Sequence, residues 1–304
     1  MTFPLLRLPL LASIAVIKNT HVKYLIPFIQ LSKKAKNLVK VSKVHIKLAV
    51  FQSSIQFQKL ADQKIVRRLE LFNSSEKMTD IPFTPPFDLK FENITQFQIG
   101  AYKKLMDDFV EFFEVCSVSF DLQSTCSYTS LCFMEHARGL GLQISTARVM
   151  IGGANPGVYR SLLDVCSNAS QLLVHFDTEE PFTFNGFDEY RTHKLRFVPK
   201  ERGINGFTVD QMCALINCSE VSVEDLRWSN EDYNRLIKFW MTSDGNLKSW
   251  KLWTYRANII PWAVLNGINN TQIRPHTYEI QRVDGVKAEV VLSFSTCTLK
   301  VIDA

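Results

Sequence analysis

The pattern of apolar and polar residues divides the chain into a helical opening segment and a longer segment of alternating strands and helices. Two apolar runs, residues 10–18 and 22–31, are separated by polar residues that predict a break and a cap, and Pro9 suits the first turn of a helix. A third short helix is predicted around Leu38 and Val39. Three such helices bury too little surface to fold alone, so we expect them to dock on another surface.

A strand and a longer helix are predicted next. Alternation of apolar and polar residues over residues 44–51 predicts a β-strand, with residues 55–57 as its hairpin partner. Three prolines in residues 73–86 predict a loop. From Gly100 to Phe113 apolar residues recur at three and four residue spacing, which predicts an amphipathic helix.

Short strand-like runs then alternate with helical runs. The predicted strand cores are residues 118–120, 149–151, 174–176, 195–197, 221–223 and 250–252. Helices are predicted between them over residues 130–140, 157–166, 187–192, 210–216 and 230–241. This rhythm favours an α/β fold built as an irregular leucine-rich-repeat-like strand–helix solenoid, with an ordinary two-layer α/β sandwich as the alternative. Asp284-Gly285 between two alternating runs predicts a C-terminal β-hairpin.

The strand cores also predict a binding face. In a parallel sheet that helices cover on one side, the middle residue of each core faces the open side. A parallel sheet would align these residues in a row, which we predict to contact a protein target: Ser119, Met150, His175, Arg196, Ser222 and Lys251.

Composition and charge narrow the class of protein. The 304 residues are 46% hydrophobic, which supplies a core and excludes a disordered chain. The net charge of +5 is unevenly distributed, because nine basic residues lie in the first 47 positions and the first acidic residue is Asp62. We therefore expect the N-terminus to meet an acidic surface. Seven cysteines without a CxxC motif favour a reducing compartment, the cytoplasm or the nucleus.

The apolar N-terminal segment is also compatible with a targeting signal. Residues 8–15 resemble the apolar part of a secretory signal, five N-glycosylation sequons suit secretion, and the missing acidic residues suit a mitochondrial presequence. Against secretion, Arg7 lies inside the apolar run, and apolar residues continue through residues 24–31. Lys18 comes too early for a membrane-spanning helix. A secreted or organellar binding protein therefore stays an alternative.

No catalytic motif is present in the sequence. Gly-x-Ser-x-Gly, His-Glu-x-x-His and the Gly-Lys-Ser/Thr phosphate loop are all absent. Residues 152–157 form a Gly-rich turn without a lysine, and the cysteine pair Cys213 and Cys218 has no histidine at ligand spacing. We expect a non-catalytic protein that needs no cofactor or metal and binds neither nucleic acid nor membrane.

Two parts of the chain resemble a known family. Four stretches resemble the F-box of a large nematode family, whose members carry a type 2 F-box-associated domain behind it: Phe3-Pro4-Leu5-Leu6-Arg7-Leu8-Pro9, Val16-Ile17-Lys18, Phe28 and Leu31-Ser32-Lys33-Lys34-Ala35-Lys36. Residues 221–226, 229–240 and 245–248 resemble the core of that domain, and residues 278–302 resemble its end. Val22 stands where the family usually has proline, and Pro27 lies inside the expected second helix.

The resemblance implies a domain layout and a function. It implies an F-box at residues 1–45, a strand and loop connection at 46–100, and an F-box-associated domain at 101–304 with its core at about 205–255. The F-box would bind a Skp-type linker protein and through it a cullin-based ubiquitin ligase, while the remaining chain holds an unknown protein target. A protein-binding scaffold without ligase attachment is the alternative. The implied linker interface is Leu8, Pro9, Leu11, Val16, Ile17, Leu25, Phe28, Leu31, Lys33 and Lys34.

Overall fold

The computed structural model describes residues 5–51, 54–59, 67–70, 96–122, 127–152, 156–177, 184–199, 206–254 and 258–302. The chain divides into two compact units, which are Met1–Thr125 with Cys132–Ser145, and Cys126–Leu131 with Thr146–Ala304. The loop predicted at residues 73–86 lies outside the described residues.

The first unit opens with three short helices at the predicted positions, here called the helical module. They are α1 (Leu10–Asn19), α2 (Val22–Leu31) and α3 (Lys33–Ser42). Helix α3 begins where the Ser32 hydroxyl accepts a hydrogen bond of 3.1 Å from the backbone N–H of Ala35. It packs against both other helices, and Ile17, Leu25 and Val39 are buried in the module.

The remainder of the first unit contains helix α4 (Gln96–Phe112) and four strands that pair side by side. The strands are β1 (His45–Phe51), β2 (Ser54–Lys59), β3 (Arg67–Glu70) and β4 (Glu114–Leu122), in the order β4-β1-β2-β3. Strand β1 is parallel to β4 and antiparallel to β2, which confirms the predicted hairpin. Helix α5 (Ser127–Gly139) begins in the second unit and ends in the first.

The second unit begins with strands that alternate with helices. The elements are β5 (Ile144–Gly152), α6 (Pro156–Val165), β6 (Gln171–Asp177), β7 (Lys194–Pro199), α7 (Val209–Ala214), β8 (Glu220–Leu226), α8 (Asn230–Thr242), β9 (Ser249–Thr254) and α9 (Pro261–Val264). Short 3-10 helices occupy Phe187–Glu189, where a helix was predicted, and Leu215–Asn217. Strands β5 to β9 are parallel and follow one another across the sheet in chain order.

The prediction of a leucine-rich-repeat-like strand–helix solenoid is wrong. The strands of the second unit form a mixed sheet, in which the C-terminal strands are β10 (Asn270–Arg274), β11 (Thr277–Gln281), β12 (Lys287–Leu292) and β13 (Thr296–Val301). They form an antiparallel meander, and β13 pairs antiparallel with β9. The connections within the meander are too short for a helical crossover, so neighbouring strands must run antiparallel. The α/β class itself is confirmed.

A chain of aromatic side chains connects the sheet of the second unit to α8. Phe197 of β7 lies 5.4 Å from Phe207 between ring centroids, Phe207 stacks on Trp228 at 6.4 Å, and Trp228 lies 5.5 Å from Tyr233 of α8. The indole N–H of Trp228 donates a hydrogen bond of 2.8 Å to the Phe207 carbonyl. Helix α8 begins at a capping box in which the Ser229 hydroxyl accepts from the backbone N–H three residues later. Helix α8 therefore packs over the face of this sheet that carries Phe197.

The strand at the outer edge of the second unit is polar and irregular. Strand β10 reads Asn-Thr-Gln-Ile-Arg, and its last four residues are exposed. Its pairing with β11 shifts register between Gln272 and Arg274. No described helix of either unit is both long enough and apolar enough to cross a membrane.

Candidate functional site

The structure places eight of the ten residues of the implied linker interface at least partly at the surface of the helical module. Leu11 and Leu31 are 81% and 72% exposed. Pro9, Lys33 and Lys34 are exposed as well, and three others are half-buried: Leu8, Val16 and Phe28.

The other two residues of that interface, Ile17 and Leu25, lie inside the module. Each is only 1% exposed, so their side chains support the packing of the three helices. Helical spacing alone does not separate these inward positions from the outward ones, because an apolar residue suits either side when the helix has two partners.

Three exposed apolar residues were missed by the sequence reasoning. Leu10, Tyr24 and Val41 are 62%, 59% and 53% exposed. The sequence spacing could have identified Tyr24, because it lies seven residues before Leu31. Seven residues are two helical turns, so both side chains lie on the same side of α2. The exposed apolar residues of the module, here called the apolar module surface, are Leu10, Leu11, Tyr24, Leu31 and Val41.

A groove of about 370 Å³ lies on the same module. Two hydrogen bonds hold the segment before α1 against the helices, since Ser13 Oγ donates to the Leu5 carbonyl at 3.2 Å and Lys34 Nζ donates to the Leu6 carbonyl at 2.6 Å. The groove therefore combines apolar walls with a lysine. Its lining is Leu6, Leu8, Leu10, Ser13, Lys34, Asn37, Leu38 and Val41.

The charges of the module are all positive. Helices α1 to α3 contain no aspartate or glutamate. Two lysines turn towards α4, where Lys36 Nζ lies 3.4 Å and Lys40 Nζ 3.9 Å from Glu111 Oε1. Lys36 Nζ also lies 4.6 Å from the Phe112 ring centroid. These contacts attach α3 to α4, while Lys33 and Lys34 remain exposed, and Lys34 lines the groove together with Leu10 and Val41.

Five of the six predicted target-face residues lie on one face of strands β5 to β9, here called the open face. Around these positions, side chains that are buried alternate with side chains that are not, and the five belong to the second set: Met150, His175, Arg196, Ser222 and Lys251. Ser119 belongs to the first unit, where its hydroxyl forms a hydrogen bond of 2.9 Å with the Ser145 hydroxyl.

These five residues do not form a single row. The register pairs Arg196 with Ser222 and Ser222 with Lys251, so three of them are aligned. His175 pairs with Val198, two residues beyond Arg196, and Met150 pairs with His175 in that second row.

The residue of β5 in the first row is Arg148, which the sequence reasoning missed. Arg148 pairs with Leu173, and Leu173 pairs with Arg196. We call this line of paired residues the cationic row: Arg148, Leu173, Arg196, Ser222 and Lys251. Its three basic side chains are exposed.

Two contacts orient basic side chains of the cationic row. Arg196 donates to Glu224 Oε1 from Nη2 at 2.5 Å and from Nε at 3.1 Å. Lys251 Nζ lies 4.3 Å from the ring centroid of Trp253, which is a cation–π distance. Both contacts reduce the rotamer freedom that a binding partner would otherwise have to restrict.

The other candidate positions from the sequence have structural contacts. His136 Nε2 lies 2.8 Å from Asp107 Oδ1, which links α5 to α4. Burial raises the pKa of the Cys213 thiol and of the Cys218 thiol to about 11. Across the described ranges, no three His, Cys, Asp or Glu side chains are grouped as a metal site would need. The turn at residues 152–157 lies partly outside these ranges.

We expect thiol alkylation to separate the described cysteines by burial. Cys116 is exposed, whereas Cys166 and Cys297 are buried, and burial raises the pKa of each of these two thiols to about 12. A raised pKa leaves less reactive thiolate at pH 8. Iodoacetamide followed by peptide mass mapping should modify Cys116 in the native protein and the other two only after unfolding in urea. Equal labelling of all three in the native protein would contradict the packing described.

Among known proteins, the chain is similar to a protein of a nematode. No family model matches the chain, and no solved structure matches it. The chain is similar to the Skn-1 dependent zygotic transcript 15 protein of Caenorhabditis elegans, with 24% identity over 209 residues. The match covers 62% of this chain and 59% of the length of that protein. The chain therefore has a nematode homologue.

Proposed function

We propose that the chain is a non-catalytic adaptor that recruits a protein target to a Skp–cullin-type ubiquitin ligase. The observation that carries this proposal is the apolar module surface beside exposed lysines, because it offers one partner a site without disturbing the module's core. A cytoplasmic or nuclear location is part of the proposal, since the ligase acts there.

The first part of the proposal, binding of the linker protein, depends on apolar surface that is exposed to water. Leu11 and Leu31 are large side chains that stay mostly in water, and Leu10 and Val41 line one groove. Exposed apolar patches mark interaction sites in folded proteins. Lys33 and Lys34 would attract an acidic partner and orient it as it approaches. A Skp-type linker with an acidic, apolar docking surface satisfies both requirements.

The second part of the proposal, binding of the target protein, depends on the open face. Its exposed side chains are carried by paired strands, so their positions are set by the backbone hydrogen bonds of the sheet. In this proposal the chain contributes proximity, since it holds the target near the ubiquitin-transferring subunits, and those subunits carry out the covalent steps. The homologue in a nematode supports the proposal, because the F-box resemblance is to a nematode family.

Capture of a Skp-type linker tests the proposal directly. The full chain, coexpressed with a nematode Skp-type linker and purified by a tag, should retain the linker. The double substitution Leu11→Asp and Leu31→Asp should weaken capture by at least about tenfold, because two carboxylates would enter an apolar contact. Both positions are exposed, so thermal unfolding followed by circular dichroism should change little.

A matched control is Phe294→Asp, which places a carboxylate at a 72% exposed apolar position of the second unit. It should capture the linker as the unmodified chain does. The ligase proposal is wrong if the unmodified chain retains no linker, or if the double variant binds it as tightly as the control.

A further inference from the structure

The cationic row crosses the open face with a regular arrangement of charge. Arg148, Arg196 and Lys251 lie on alternate strands, with Leu173 and Ser222 between them. Neighbouring strands are about 4.8 Å apart, so the backbone positions of successive cations are about 10 Å apart. No acidic residue belongs to this row, which makes it a line of positive charge running across the strands.

A second row, two residues further along each strand, mixes apolar side chains with His175 of β6 and Glu224 of β8. Val198 pairs with His175, and His175 pairs with Met150. Trp253 lies two residues beyond Lys251 on β9 and is half-buried, as are the other three. The open face therefore presents a cationic line beside a row in which Met150, Val198 and Trp253 are the apolar side chains.

We propose that the open face binds an extended acidic segment of the target protein, laid across strands β5 to β9. Carboxylates of the segment meet the cationic row, and its apolar side chains contact Val198 and Trp253. The identification of this segment as part of a ubiquitination target rests on the function proposed above.

The two oriented cations are suited to bind carboxylates. Glu224 engages Arg196 through Nε and Nη2, which leaves the Nη1 donors for an incoming carboxylate. Lys251 is positioned over Trp253, so an acidic side chain that binds the ammonium also brings its neighbours onto the indole ring. Each acidic residue of the segment would thus bind a cation, while the residues next to it contact the apolar side chains of the open face.

Acidic residues on the same face favour a peptide over a nucleic acid. Glu220 lies 3.4 Å from Lys194 and belongs to the row on the other side of the cationic row, and Glu224 contacts Arg196. A continuous phosphate backbone would be repelled by these carboxylates, whereas a peptide carries separate charges and can place amide N–H groups against them.

Fluorescence anisotropy with the full chain tests the proposal. The probe is a fluorescein-labelled peptide of about twelve residues in which Glu alternates with Leu, Pro and Ala, at about 50 mM salt where exposed charges are weakly screened. Its counterpart has Gln at every Glu position. We expect the acidic peptide to bind at least about tenfold more tightly than the Gln peptide, and raised salt to reduce the difference.

The variant Arg196→Glu with Lys251→Glu should lower the affinity for the acidic peptide by at least about tenfold, because two attractions become repulsions. The matched control is Lys238→Glu, an exposed lysine of α8, the helix that the aromatic chain joins to the covered face of the sheet. This control reverses one positive charge outside the open face, and it should bind the acidic peptide within about twofold of the unmodified chain.

Three outcomes overturn the proposal. They are equal affinity for the Glu and Gln peptides, unchanged affinity in the open-face variant, and tighter binding of a single-stranded oligonucleotide than of the acidic peptide. The measurement needs no linker protein. Loss of peptide binding with intact linker capture therefore refutes the acidic segment alone, whereas peptide binding without linker capture refutes ligase attachment alone.

Discussion

Replacing Trp240 with alanine is expected to lower the free energy of unfolding by about 3–5 kcal/mol, the largest effect of any substitution considered. Trp240 is fully buried on α8, so the change leaves a large cavity. Its indole N–H donates a hydrogen bond of 3.3 Å to the Leu247 carbonyl, and the guanidinium of Arg282 lies 5.4 Å from the ring centroid. The substitution therefore removes packing, a hydrogen bond and a cation–π contact together.

Urea unfolding followed by far-ultraviolet circular dichroism measures this loss without depending on tryptophan fluorescence. The matched control is Trp262→Ala, because Trp262 is 79% exposed and should change stability by no more than about 0.5 kcal/mol. Similar unfolding midpoints for the two variants would show that α8 does not pack on the sheet as described.

Replacing Gly245 with alanine is expected to be the second most damaging change, with a loss of about 1–3 kcal/mol. A Cβ atom at this position would overlap the Ile216 side chain and lie only 2.6 Å from the Ile216 carbonyl oxygen, which is backbone and cannot move aside easily. The Gly245 carbonyl also accepts a hydrogen bond of 3.0 Å from Arg282 Nη1, so a displaced backbone would lose that contact too.

Gly100→Ala is the control of opposite sign for Gly245→Ala. Gly100 lies within α4, and a Cβ atom there would meet nothing within 4 Å. Alanine should raise the free energy of unfolding by roughly 0.5–1 kcal/mol, because glycine is a poor helix former. Thermal and urea unfolding of both variants measure the contrast, and a loss at Gly100 equal to that at Gly245 would refute the steric explanation.

The strands of the second unit were predictable where burial imposes a pattern on the sequence. Residues 174–176 and 195–197 carry apolar side chains on either side of a more polar one, and both lie in strands. Strand β10 carries no such pattern, because an edge strand with exposed side chains needs no apolar residue. The arrangement of β13 beside β9 is a long-range pairing that local sequence does not specify.

The open face was predictable as a set of residues, but its register was not. Alternation within one strand determines which side chains face the same way, and it placed Arg196, Ser222 and Lys251 correctly. Alignment between strands depends on where each strand begins relative to its neighbour. The choice of Met150 in place of Arg148 shows this, since both residues face the same side of β5.

The polar edge strand β10 bears on how the protein behaves at high concentration. An edge with regular, unpaired backbone groups is a template on which another molecule can add a strand and start an aggregate. The register shift before Arg274 interrupts that template, and the arginine adds a charge that disfavours stacking of identical copies. Straightening this edge with apolar, regularly alternating residues would therefore make the protein more prone to form fibrils.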